Sequence, residues 1–217
     1  DEEIDYRIIA DLITKNFPWS IGVELRRLFS GSMRQPGRLK LDQIFKTIER
    51  TIQFISFVMV CQVWYDVAQN KVTLPDSVKK EFTDRFVMLT MGNFCWLIRT
   101  FATIYTEQKA EWFLPEMNEQ FDKKLFAALD FWVPERNEIG HYQINLTEEE
   151  IERRCVEYEE KLTFILERIA FLAKYRLVSV RDIKVIKPRI REAKFHHIVD
   201  LLNSYDSDFK GEEIDEP

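Results

Sequence analysis

Six consecutive residues, Arg136-Asn137-Glu138-Ile139-Gly140-His141, set an arginine, an amide and a histidine side by side in an otherwise helix-rich chain. Histidine moves a proton near neutral pH, and a guanidinium grips a phosphate through two parallel N–H bonds. Together they have the parts for metal-independent phosphodiester cleavage. One histidine does not easily both deprotonate a ribose 2′-OH and protonate the leaving oxygen in a single step. An adjacent two-fold copy supplies the second histidine and the second arginine. In that scheme Arg136 holds the phosphate and stabilises its growing charge, His141 is the acid or base, and Asn137 orients one of the two. Tyr142 either stacks on a base or packs in the core. Pro134 and Gly140 imply an interrupted or newly started helix, with Arg136 and His141 near one end of a bundle. The bland alternative is a surface arginine at a helix end and a histidine without chemistry.

The elements that must position these residues are helices. Six glycines and seven prolines in 217 residues favour long helices over a turn-rich sandwich. Pro18 suits the first turn of a short helix carrying Ile21, Val23, Leu25 and Leu28. From about 39 to 70, Leu41, Ile44, Ile48, Ile52, Ile55, Met59 and Val63 recur by threes and fours as one long helix. Its second half is apolar on several faces, which implies more than one neighbour. Pro75-Asp76-Ser77 opens a helix with Val78, Phe82 and Phe86 on one side, and Gly92-Asn93 kinks or breaks it before a run to Tyr105. Trp112-Phe113-Leu114 is a connector ending at Pro115, and 116–132 is again helical until Pro134 forces a break. Thr147 and Glu150 form a capping box for a helix reaching about Lys174.

The pattern then turns to period two. Val178 and Val180, then Ile183 and Val185, alternate with polar residues, and the phase slips at Arg181-Asp182 as across a turn or bulge. The run from Phe195 to Leu202 fits a second strand or a short helix. These features give a mainly α fold: a four-helix-bundle-like core at 39–174, an N-terminal helical extension at 1–38, and a β-hairpin appendage with an acidic tail at 175–217.

Charge is divided locally. Between Lys174 and Lys194 there are eight basic and two acidic residues; from Asp200 onward there are seven acids and Lys210. The acidic tail is expected to fray or to fold back on the basic appendage. Lys184, Lys187, Arg189 and Arg191 are the candidate contacts to RNA phosphates, with a solvated face or a partner surface as the alternative. The net charge of -6 argues against a protein that coats duplex DNA. Cys61, Cys95 and Cys155 lack the spacing of a zinc site or redox pair, and Cys61 and Cys95 read as buried thiols in a reducing compartment. Trp64, Trp96, Trp112 and Trp132 read as core. His196 and His197 have no accompanying ligand set, and no metal or cofactor is expected. The apolar stretch from Ile52 to Tyr65 is short and interrupted by glutamines, so it reads as a buried helix and not a membrane span. Starting at Asp1 without a recognisable signal peptide, the chain reads as a cytoplasmic piece of something longer.

The helical pattern with Arg136-Asn137-Glu138-Ile139-Gly140-His141 resembles the HEPN family, whose bundles carry an arginine, a polar residue that is often asparagine, and a histidine after four to six intervening positions. The resemblance covers roughly 39–174. It implies a homodimer whose two motifs face each other in a composite cleft and cut RNA without metal, with roles for Arg136, Asn137 and His141. It also implies a setting in defence or toxin–antitoxin systems, with a regulatory or antitoxin protein as partner. The alternative function is a non-catalytic helical module that dimerises or holds a partner within a larger defence protein. Transcriptional regulation has little support, because no helix-turn-helix shows a basic recognition face. A Gly-rich phosphate loop and a paired-carboxylate metal centre are also missing from the sequence, which places an ATPase or two-metal nuclease far behind.

Overall fold

The computed structural model describes residues 15–142, 146–187, 192–203 and 209–214, without the side chains at 139–142 and 210. The chain divides into two compact units, one of Ser32–Ala170 and one that joins Asp1–Gly31 to Phe171–Pro217. The N-terminal helix and the C-terminal sheet belong to the same unit.

In the helical unit, α2 (Arg38–Ala68) is the longest element, and α3 (Asp76–Arg85), α4 (Met91–Gln108), α5 (Glu116–Gln120), α6 (Lys123–Tyr142) and α7 (Glu148–Arg168) follow it. α2 packs on α4 and α7, and α6 packs on the same two helices, so the four close a ring around one core. The threes-and-fours spacing on α2 explains why: Leu41, Ile44, Ile48, Ile52, Met59 and Val63 are all buried. Its buried hydroxyls are satisfied internally. Thr47, Thr51 and Ser56 each donate 2.8 Å to the carbonyl four residues back. At the centre, Trp132 and Tyr158 meet Phe45 edge-on at 5.6 and 5.5 Å between ring centroids. Such pairs add about 0.5–1.5 kcal/mol each beyond their burial.

Helix ends follow local chemistry. The Thr90 side chain accepts from Asn93 N–H at the start of α4, and Thr147 accepts from Glu150 N–H at the start of α7, as its capping pattern predicts. Asp122 accepts from the N–H groups of Lys124 and Leu125, both at 2.9 Å, and starts α6 after a break from α5. The helix expected over 116–132 is therefore two helices. The break expected at Gly92-Asn93 lies earlier, between Arg85 and Met91.

Three further expectations are corrected. α6 continues through Pro134 instead of ending there. A proline inside a helix costs about 3 kcal/mol; here the buried Leu129 and Trp132 anchor the helix before it, and an ion cluster around Arg154 anchors it after. Trp64 is 71% exposed, and Cys61 is exposed too, so neither is core. Trp64 stands beside Val78 and Phe82 of α3 at a cavity, and Phe57, half exposed, meets Phe94 of α4 edge-on at 5.8 Å, so these helices cover that side of α2 only in part. By length and composition α2 is long and apolar enough to cross a membrane, a test that core helices also pass.

The second unit contains α1 (Trp19–Leu28), with Pro18 just before its first residue, and an antiparallel sheet of β1 (Val178–Ile186), β2 (Lys194–Leu201) and β3 (Lys210–Ile214) in that order. The phase slip at Arg181 is a bulge inside one strand, since pairing shifts register between Val180 and Asp182. The run after Phe195 is a strand. The expected hairpin is thus two of three strands, and the acidic tail supplies the third. Arg176 pairs with Glu212, and Nε2 of His196 lies 2.9 Å from Glu213. Sequence periodicity misses β3 because Lys-Gly-Glu-Glu-Ile has almost no apolar alternation. Asn203 closes this unit. Its amide donates to the carbonyls of Asn16 and Tyr175, and its oxygen accepts from Leu177 N–H.

Candidate functional site

Arg136 and Asn137 line a cavity of about 410 Å³ in the helical unit, together with Glu49 of α2, Val133 of α6, and Thr90, Met91 and Gly92 at the start of α4. On an unbroken helix, Val133, Arg136 and Asn137 fall at i, i+3 and i+4, and therefore on one face. Continuity of α6 through Pro134 is thus what presents the arginine and the amide together. Both side chains are exposed, and neither has a hydrogen-bond or ion-pair partner among the described residues.

The opposite side of the same helix is tied down. Arg154 on α7 is 9% exposed. It reaches Glu138 at 2.5 Å, Glu135 at 3.6 Å and Glu150 at 3.7 Å, and it donates to the Tyr158 hydroxyl at 3.2 Å. The Tyr158 O–H in turn donates to Glu135. Burial, followed by that bond to a carboxylate, pushes the Tyr158 hydroxyl well above the ordinary tyrosine range, so it stays a donor. Burial opposes charge on Arg154, but the Glu138 and Tyr158 contacts outweigh it and keep the guanidinium charged. Glu135 and Glu138 flank Arg136 and Asn137, so the cluster holds the motif helix from behind while its front faces the cavity.

The front carries positive potential from two sources. One is the Arg136 guanidinium. The other is the N-terminus of the 18-residue α4. The N–H groups of Asn93 and Phe94 bond to Thr90, whereas those of Met91 and Gly92 have no acceptor among the described residues. Gly92 packs against α6 at this point, since a methyl there would meet Val133 Cγ1 at 3.4 Å. Such an arrangement suits a phosphate-sized anion. Glu49 stands at the same cavity and is the one group on its lining that opposes an anion.

His141 and Tyr142 belong to α6 as backbone, and their side chains lie outside the described set. His141 is four positions after Asn137, a same-face spacing, but five after Arg136, which turns the helix by about 140°. The expected interruption between Arg136 and His141 is absent. In the other unit, Lys184 lies on β1 and Lys187 just beyond it; both are exposed. Arg189 and Arg191 lie outside the described residues. Part of the basic excess is neutralised, since Arg181 pairs with Asp200 at 3.3 Å and Arg176 with Glu212.

Sequence reasoning missed the α4 N-terminus and Glu49. The signal was present in Thr90-Met91-Gly92-Asn93, where Thr90 is a preferred capping residue three positions before Asn93. Among the described residues, no three His, Cys, Asp or Glu side chains are grouped to hold a metal ion. Comparison with protein-family models finds no match, and searches of the curated proteins and of the solved structures find none either.

Proposed function

We propose that this chain is a metal-independent endoribonuclease of a defence or toxin system, a HEPN-like protein that works as a homodimer. The observation that carries the reading is the cavity where Arg136 and Asn137 face the free amides at the start of α4. In the proposed reaction Arg136 and those amides hold the scissile phosphate. His141 of one copy takes the 2′-OH proton while its two-fold equivalent protonates the departing 5′ oxygen. The 2′ oxygen forms a bond to phosphorus as the 5′ oxygen leaves, giving a 2′,3′-cyclic phosphate and a 5′-OH. DNA resists because it lacks the nucleophile. Lys184 and Lys187 are the candidate contacts to RNA phosphates outside the cleft. A cytoplasmic setting and a restraining antitoxin partner belong to the same proposal.

A second reading, a non-catalytic dimerisation or partner-binding module, is favoured by a different observation. Phe57 and Trp64 on α2, and Val87, Met88 and Leu89 between α3 and α4, are each more than half exposed. Large exposed apolar side chains in such number are a feature of interaction surfaces when they form one patch. Metal-free cleavage of mixed RNA in EDTA, compared between the protein and His141→Ala, separates the two readings. The nuclease reading expects cyclic-phosphate ends that the variant does not produce.

A further inference from the structure

A cavity of about 710 Å³ lies at the far end of α2, between that helix, the turn that follows it and the connector after α4. Its volume is within the range of small-molecule sites. Its walls combine aromatic rings with fixed negative charge. Tyr65, Trp112 and Phe113 supply the rings, and Asp66 and Glu111 the carboxylates. Tyr65 and Phe113 are 59% and 61% exposed, so both rings are open to solvent on this lining.

The site is built, not incidental. Asp66 is 7% exposed and accepts from the Tyr105 hydroxyl at 2.6 Å and from the Gln62 amide at 3.1 Å. Gln62 also donates to the Glu111 carbonyl at 2.9 Å and accepts from Phe113 N–H at 3.0 Å, which pins the connector to α2. Tyr105 stacks on Trp112 with centroids 3.8 Å apart. The carboxylate, the connector backbone and the buried Tyr105–Trp112 pair are therefore held by separate, mutually supporting contacts.

The chain itself shows what this arrangement attracts. The Lys71 ammonium sits 5.3 Å above the Tyr65 ring and 3.9 Å from Asp66. Its side chain is 62% exposed, and the ion pair is long, so it is a weakly held occupant. With Asp66 and Glu111 against Lys71, the lining retains one net negative charge. Glu111 has no partner for its carboxylate among the described residues. A hard metal ion needs more converging oxygens than this lining offers. A weakly hydrated organic cation needs aromatic faces and one nearby anion, and both are present.

We infer that this cavity binds an alkylated ammonium group, with the methyl-rich cation over the exposed Tyr65 and Phe113 rings and its charge toward Asp66 and Glu111. The site does not depend on the nuclease reading, and its test involves no RNA. The probes are choline and its neutral isostere 3,3-dimethylbutan-1-ol, titrated calorimetrically into the whole chain. Choline binds at least about ten-fold more tightly than the alcohol. Lys71→Met strengthens choline binding about three-fold or more by removing the competing cation. Tyr65→Leu and Phe113→Leu, at exposed positions where folding is retained by circular dichroism, each weaken it about three- to ten-fold. Equal affinity for the alcohol, weaker binding in Lys71→Met, or indifference to both ring variants would overturn the inference. So would the absence of choline binding by both the wild type and Lys71→Met. Co-sedimentation with phosphatidylcholine vesicles, competed by choline, assigns a lipid headgroup as the source; choline binding without co-sedimentation assigns a free small molecule.

Discussion

Arg154→Met should loosen the helix that carries the candidate site. The substitution keeps the length of the aliphatic stem but removes a guanidinium surrounded by Glu135, Glu138, Glu150 and Tyr158. Breaking a fully buried ion pair typically costs 3–5 kcal/mol, because the partner charge remains buried and unpaired. Here the glutamate side chains are 24%, 47% and 37% exposed, so water takes up part of their charge. A loss of about 2–3 kcal/mol is expected. For a chain of this size that corresponds to a fall in Tm of about 5–10 °C. The effect is also local. Pro134 has already removed one backbone bond from α6, so the segment after it relies on this cluster more than other helices do. Amide hydrogen exchange in Arg154→Met should rise in 135–142 while α2 keeps its protection. Adding Glu135→Gln and Glu138→Gln should restore more than half of the lost stability, since the stranded charges are then gone. A loss below about 0.5 kcal/mol, or unchanged exchange after Pro134, would refute the claim that Arg154 holds the motif helix.

Two further outcomes follow from groups with displaced pKa values. The Asp122 carboxyl is held below the usual carboxylate range by the Leu125 N–H first, with Arg168 and the Lys124 N–H adding to it. It therefore stabilises the fold above its unfolded pKa of about 3.9, and this stability is lost as pH falls through the lower folded value. Asp122→Ala should cost about 1 kcal/mol at pH 7, and the melting curves of the two proteins should converge as the pH falls through that lowered folded value. Among the thiols, burial pushes Cys95 up to about 12, assisted by the Asp130 carboxylate, and burial also raises Cys155. A disulfide reagent at pH 8 should thus titrate one thiol of the native chain rapidly, Cys61, and the other two only after denaturation. Rapid reaction of two or three would contradict the packing around Cys95 and Cys155.

The bundle was legible because its signal is periodic and local. Leu41 through Val63 announce α2, and Thr147 with Glu150 announces the start of α7. Periodicity does not say which apolar face a neighbour will cover, which is why Trp64 and Cys61 read as core but are exposed. Propensity also misled at Pro134: its local cost is real, but Trp132 packing on one side and the Arg154 cluster on the other outweigh it. β3 was illegible for another reason, since its pairing rests on tertiary contacts such as Arg176 with Glu212 and not on a pattern within its five residues. At the candidate site, Arg136 and Asn137 were legible as chemistry. Their cavity was not, because Glu49 and the start of α4 come from segments about 87 and 45 positions away and meet the motif only through the ring of helices.

The central claim is that Arg136 and Asn137 help build a phosphate site which works with His141 on RNA. Its most direct measurement is cleavage of a mixed RNA pool in EDTA by the wild type, His141→Ala and Arg136→Ala, with the chemical nature of the new ends determined. The account predicts 2′,3′-cyclic phosphate and 5′-OH ends from the wild type alone, with DNA untouched. Equal cleavage by all three proteins, or none by the wild type under conditions where it is folded and dimeric, would contradict it.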